Sequence, residues 1–299
     1  MRSSCLLATR DPVPFLYKYA SGNTGRIVLE NRTLRWSTPP VLNDPFDMQF
    51  AFQVRLNRPA AKAKTLQKSW DAHYGPEPAG PRNKLGQVIT AFRGKFPKLT
   101  RQEFDREFGP VIDQSIDTIH ARISAYAAEI RESFANDKIL SLAQSPDSVL
   151  MWAYYAQNHS GMVLRFRDVA GVDSPWKTAR AVRYVDEVPS LFDDESLSDM
   201  LSGGAMDHRR VMDIVCFTKS CHWAHEREWR IYSGAGRTRG AYEDIPFNAA
   251  ELDGVIFGCR MPEHERQLIA DLVRKRYPAV MLLQAKTRNE YYRLTIGPL

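Results

Sequence analysis

The rhythm of apolar and polar positions changes twice along the chain. Up to about residue 56 the runs are short: FLYKYA reads as a first strand, TGRIVLEN as a helical turn or two ending near Asn31, and LRWS as an alternating strand. TPPVLNDPFD is then an irregular loop, because Pro39, Pro40 and Pro45 exclude regular structure while Asn43 and Asp44 favour turns. MQFAFQVRL alternates as a further strand. From Asn57 to Asn136 the rhythm is helical. The clearest helix is Pro110 to Phe134, where Ile112, Ile116, Ile119, Ile123, Tyr126 and Ile130 step by four and three to make one core-facing stripe. Upstream of it Gly75, Pro76, Pro78, Gly80 and Pro81 break the pattern, which predicts a mobile segment. From Lys138 strands return as KILSLA, GMVLRF, ARAVRY, DIVCFTKS, EWRIYS, LDGVIFG, AVMLLQA and YRLTI, with helices over SVLMWAYYAQ and PEHERQLIADLVRKRY between them. The expected architecture is one α+β domain over residues 1–299, carrying a helical insertion at 57–136.

Composition adds limits. With 43% apolar and 25% charged residues the chain is ordinary for a globular protein. No apolar run approaches the ~18 residues of a membrane span, so no membrane partner is expected. MRSSCLLATRDPVPF has too brief an apolar patch for a signal peptide, and Cys5, Cys216, Cys221 and Cys259 are too scattered for a disulfide framework. Both point to a cytoplasmic protein. The net charge of +6 is local: between Arg58 and Arg101 ten Lys or Arg face two acids, a net +8, which leaves −2 for the rest. Such a run is most often a solvated surface, but with Trp70, Tyr74, Phe92 and Phe96 among the cations it can also neutralise phosphates and stack bases.

Three segments can carry chemistry. In LNDPFD, Asn43, Asp44 and Asp47 form a polar loop able to bind a ligand; equally, Asn43 and Asp44 cap a turn while Phe46 plugs the core. In the second, Ser145-Pro146-Asp147 marks a helix start with Ser145 as N-cap, and Leu150, Met151, Tyr154 and Tyr155 fall on helical spacing as core positions. His159 closes that helix, where a protonated imidazole is favoured, and Gly161 is the expected residue after the cap. The third is FTKSCHWAHEREWRIY. On a strand, Glu226, Glu228, Arg230 and Tyr232 share one face, and Arg227, Trp229 and Ile231 the other. The paired carboxylates can do acid–base work or stabilise a cation; equally, they can pair with Arg227, Arg230 or Lys219 on a solvated strand. Zinc is not expected from Cys216, Cys221, His222 and His225, since Cys221 and His222 are adjacent and Cys216 lies in an apolar run.

Taken together, LYKY, STPPVLNDPFD, ILSLAQSPDSVLMWAYYAQNHSGMVLRF, FTKSCHWAHEREWRIY and LDGVIFG resemble a bacterial family of unknown function found near phage-defence and toxin genes. The order of motifs is also similar to the ADP-ribosyltransferase superfamily, in particular its DNA-modifying toxin branch. That resemblance implies a mixed, mostly antiparallel core and NAD as substrate, with no metal. It makes Glu228 the catalytic glutamate and Glu226 its assistant. Tyr17 or Tyr19 takes the early-strand position, and Ser37, Trp152, Tyr155 or His159 the middle one, in place of the usual Ser-Thr-Ser. Asn43 and Asp44 would complete the NAD site, and Lys219, Trp223 and Arg230 would meet the acceptor. The implied reaction transfers ADP-ribose to a macromolecule, nucleic acid before protein, with an antitoxin as a further partner. A metal-dependent nuclease built on Asp44, Asp47, Glu226 and Glu228, and a non-catalytic adaptor, are the alternatives.

Overall fold

A computed structural model of the chain describes residues 13–49, 53–76, 84–204, 207–288 and 290–299. In chain order the elements begin with β1 (Leu16–Ala20), α1 (Gly22–Asn31), β2 (Thr33–Ser37), β3 (Gln53–Val54), α2 (Arg58–Tyr74), α3 (Lys84–Lys95) and α4 (Arg101–Phe134). There follow β4 (Ile139–Ala143), α5 (Val149–Tyr155), β5 (Met162–Phe166), β6 (Arg180–Ala181), β7 (Arg183–Val185), β8 (Ser190–Phe192), α6 (Asp194–Leu201) and α7 (His208–Cys216). The last are β9 (Thr218–Ser220), β10 (Glu228–Tyr232), β11 (Tyr242–Pro246), β12 (Leu252–Phe257), α8 (Glu263–Arg276), β13 (Met281–Thr287) and β14 (Leu294–Pro298). The fold is α+β, with a mixed sheet of mostly antiparallel strands.

The chain divides into two compact units. The first comprises Met1–Gln49, Glu132–Asp186 and Cys216–Leu299; the second comprises Phe50–Arg131 and Glu187–Val215. The second therefore adds 187–215 to most of the helical stretch that the sequence pattern marks out.

In the first unit the main sheet runs β11-β2-β4-β1-β5-β12-β13-β14, with β10 also paired to β4 and β6 to β10. Its two faces arise from the period-two alternation of side chains. Met162, Leu164 and Phe166 of β5, with Val255 and Phe257 of β12, pack on one face against Val28 and Leu29 of α1 and Ile269 and Val273 of α8. Val163 and Ile256, one position out of phase, join Tyr19, Ala143, Met151 and Trp152 on the other. A strand buried on both faces reads as a continuous apolar run, as MVLRF and GVIF do.

The strand pairing around β4 is uneven. β10 covers one edge along its whole length, from Glu228↔Ala143 to Tyr232↔Ile139. The opposite edge is shared: Tyr17 of β1 meets Ala143 at one end and Ser37 of β2 meets Ile139 at the other. Between these two contacts the sheet is split.

The second unit is built on an aromatic core. Trp70 and Tyr74 stack 5.0 Å apart, and Phe104 and Phe108 of α4 pack edge-on or tilted against Trp70, Tyr74 and Phe92.

Several expectations are corrected. The helix expected from Pro110 begins at Arg101, where Thr100 and Glu103 cap each other reciprocally, and Pro110 lies inside it. The loss of one backbone bond is offset by burial of Phe104 and Phe108 upstream. DIVCFTKS is not one strand: α7 runs to Cys216 and β9 begins at Thr218. Of MQFAFQVRL only Gln53–Val54 pairs as a strand; Met48 and Gln49 lie in a turn, and 50–52 are outside the described residues. The break around Gly75 to Pro81 falls mostly on 77–83, also outside them, as do residues 1–12 with Cys5. Among the described residues no helix is long and apolar enough to cross a membrane.

Candidate active site

The split beside β4 opens into a pocket of about 240 Å³, lined by Tyr17, Lys18 and Tyr19 of β1, Arg35 and Ser37 of β2, Val41, Leu42, Asn43 and Asp47 of the loop after it, β4, Met151, Tyr155, Lys219, Glu226 and Glu228. Its deep wall is a cluster of buried charge. Asp47, Lys219, Glu226, Glu228 and Arg230 are each no more than 5% exposed. Burying an ion costs several kcal/mol unless a partner and hydrogen bonds compensate. Here they do. Arg230 donates through Nε to Glu228 Oε1 at 2.7 Å and through a terminal nitrogen to Glu228 Oε2 at 2.9 Å. It also grips both oxygens of Asp47, one at 2.8 Å, and donates to the Cys216 carbonyl at 3.0 Å. Lys219 donates to Glu226 Oε2 at 2.6 Å and to Glu228 Oε2 at 3.1 Å, with Asp47 at 3.6 Å.

These contacts decide the titration of the group. Burial alone would raise the pKa of Glu228, but Arg230 and Lys219 hold it down at about 2. Burial would likewise lower Lys219 and Arg230; the surrounding carboxylates raise both instead. Three carboxylates against two cations leave one excess negative charge. Glu226 differs from Glu228 in its partners. Its second oxygen accepts from the Tyr155 hydroxyl at 2.5 Å, and that hydroxyl in turn accepts from the Asn43 amide at 2.7 Å. The Tyr155 phenol is raised by burial and by Glu226, so it remains a neutral donor.

The local backbone explains how both glutamates arrive. Glu226 is not on the strand. It ends a 3-10 helix, Cys221–Glu226, capped by Ser220; Arg227 then takes a left-handed conformation with φ 44°, and β10 starts at Glu228. The expected shared strand face for Glu226 and Glu228 is thus corrected, although both still meet Lys219. Within β10 the alternation holds: Trp229 and Ile231 enter the apolar core, while Glu228 and Arg230 are on the charged side.

The remaining residues singled out from the sequence divide clearly. Tyr17, Tyr19, Ser37, Asn43 and Tyr155 line the pocket with Lys219, Glu226 and Glu228. Asp44 does not: one carboxylate oxygen accepts from the Phe46 amide in a tight turn, while Phe46 is 64% exposed and plugs no core. Trp152 is fully buried, its indole donating to the Pro146 carbonyl. Trp223 lies outside the pocket, under the Lys219 ammonium at 5.0 Å. Arg230 is sealed behind the carboxylates. His159 stacks on Trp152, and burial and Arg260 lower its pKa, contrary to a protonated cap. Gly161 has no positive φ; its need for glycine comes from the Ala20 carbonyl, 2.3 Å from where a Cβ would stand. The N-cap of α5 is Ser148, not Ser145, and Leu150 and Tyr154 are exposed.

Pocket residues the sequence reading missed are Lys18, Arg35 and Ser141. The signal for Lys18 was available: a lone cation in LYKYA, a strand otherwise apolar or aromatic. Tyr184, whose hydroxyl accepts from the Glu228 amide at 2.7 Å, carried none.

The basic run behaves differently from its charge count. Arg58, Lys62, Lys64, Lys68 and Arg101 pair with Asp113, Asp117, Glu195, Asp199 and Asp105. Trp70, Tyr74 and Phe92 serve the aromatic core of the second unit instead of an open stacking platform.

A family model described as a protein of unknown function, DUF2971, matches residues 151–231. That stretch holds Tyr155, Lys219, Glu226, Glu228 and Arg230, so a family likeness and the charged wall coincide. No curated protein matches the chain, and no solved structure does.

Proposed function

We propose that the pocket cleaves the nicotinamide–ribose bond of NAD and passes ADP-ribose to a macromolecule, in the manner of an ADP-ribosyltransferase and in a bacterial defence or toxin setting. The observation that carries this reading is a pocket in a split sheet whose wall holds two glutamates with different partners. Breaking a glycosidic bond develops positive charge on the sugar, and a carboxylate fixed beforehand stabilises it without reorganisation. The net negative charge of the cluster suits that task. Glu228 is clasped by Arg230 on both oxygens and supplies a fixed field. Glu226 shares an oxygen with a neutral hydroxyl, which a ribose hydroxyl can replace, and this favours Glu226 as the group that touches the sugar. Tyr17, Tyr19 and Tyr155 are the aromatic side chains that line the pocket, and one of them would meet nicotinamide. At about 240 Å³ the pocket is below the ~300–1,000 Å³ usual for a whole ligand, so most of the dinucleotide would lie outside it.

A nucleic-acid acceptor is proposed on the charge of residues 58–101, although their ion pairs leave fewer cations for phosphates than the count implies. The nuclease reading is weaker: Asp44 is spent on a turn, and Asp47, Glu226 and Glu228 already accept from Lys219 or Arg230, which occupy the oxygens a metal ion would need. Among the described residues no group of His, Cys, Asp and Glu is arranged to hold a metal ion. Incubation with labelled NAD and separate pools of DNA, RNA and protein tests the proposal. Glu226→Gln, still folded, should lose about a hundredfold or more of nicotinamide release. Magnesium-dependent cleavage without NAD would favour the nuclease, and binding with neither activity an adaptor.

A further inference from the structure

Two lysines line the pocket, and their surroundings are opposite. Lys219 is enclosed by three carboxylates. Lys18 is half-buried in the pocket wall, with one hydrogen bond, to the Ser141 carbonyl at 2.9 Å, and no ion pair among the described residues. An ammonium has three donors to satisfy. That single acceptor belongs to the stretch of β4 between its contacts with β1 and β2, and both Lys18 and Ser141 line the pocket there. We propose that Lys18 is an amine nucleophile toward a carbonyl carbon, which makes the pocket a site for a small aldehyde or ketone, such as the open-chain form of a sugar.

The chemistry fits the position. A lysine desolvated in a confined pocket gives up its proton more readily than a surface lysine, which is how amine nucleophiles are activated. Burial does lower the pKa of Lys18, against the opposing pull of Glu228 and Glu226. The other charged groups lining the pocket are Lys219, Arg35 and Asp47; Lys219 is paired with carboxylates and Arg35 with Asp244. In the step itself the nitrogen lone pair attacks the carbonyl carbon and the π pair moves to oxygen. The carbinolamine then loses water, both of whose hydrogens come from the amine, and a C=N bond remains. No oxidant or reductant is required.

The inference does not rest on the NAD reading, and its test contains no NAD. The full chain is incubated at pH 7 with glycolaldehyde and cyanoborohydride, which reduces an imine to a stable secondary amine, and peptide mass spectrometry follows each lysine with time. The adduct on Lys18 should form several-fold faster than on the exposed Lys84 and Lys98, because burial enlarges the neutral fraction of Lys18. Lys18→Arg should remove that fast phase while keeping a donor to Ser141. The comparison among lysines of the unmodified chain stands even where that variant folds poorly. Labelling of Lys18 no faster than of Lys84 and Lys98 would overturn the proposal. So would protection of Lys18 by inorganic phosphate in the absence of any fast adduct, which would assign an anion site.

Discussion

Two regions of this molecule are rich in ion pairs, and they differ in what surrounds the charge. In the second unit, Lys64 and Lys68 meet Glu195 and Asp199, and Arg58 and Lys62 meet Asp113 and Asp117, with most of these side chains a third or more exposed. In the first unit, Asp47, Glu226, Glu228, Lys219 and Arg230 are almost wholly buried. Water screens the first set, so each pair contributes little and can be lost singly. The second set has exchanged its hydration for one another, so removing a member strands a charge. A cluster that costly, placed at a pocket instead of being replaced by apolar packing, points to use of its field. The contrast can be broken in graded ways.

Arg230→Met should have the largest effect. It leaves Asp47 and Glu228 buried without their guanidinium, so stability in urea should fall by about 3–5 kcal/mol; a loss no greater than that of a surface variant would remove the contrast. Acid should act next. The folded-state pKa of Glu228 is held at about 2, below its ordinary 4.5. Its contribution is therefore complete above pH 4.5 and lost as pH falls toward 2, worth about 3 kcal/mol over that window. Glu228→Gln should flatten this part of the stability–pH curve, and an unchanged curve would count against the pairing. Tyr155→Phe should cost less, about 1–2 kcal/mol, because Glu226 keeps Lys219 and loses one neutral donor. Smallest of all, Lys68→Ala should leave the unfolding midpoint where it was, since its partners remain in water.

How much of this was readable in the sequence depends on the same division between local and distant causes. EWRIYS was legible because Trp229 and Ile231 alternate with charged positions, and KILSLA, GMVLRF and LDGVIFG because strands buried on both faces read as continuous apolar runs. The start of α4 was legible too, in Thr100 and Glu103, but Pro110 looked like a stronger boundary than that capping pair. The short apolar run at Ile214–Phe217 fits a strand or the end of a helix, and the packing of α7 decides it. Glu226 and Glu228 were visible as a pair. Their convergence was reached from strand geometry that does not apply, since the left-handed turn at Arg227 has no local signature. The grip of Arg230 on Asp47, 183 positions away, was not legible at all. Nor was the split beside β4, which depends on the neighbouring strands β1 and β2 both meeting a strand far away in sequence.

Nicotinamide release measured on the intact chain and on Glu226→Gln decides whether the buried cluster serves chemistry at a sugar. Both proteins are checked for the same unfolding midpoint, then incubated with NAD in the presence of DNA, RNA or protein acceptors. Release by the intact chain with at least one acceptor is expected, and a fall of about a hundredfold in the variant. No release from the intact chain under any of these conditions, or equal release from a folded Glu226→Gln, would contradict that role.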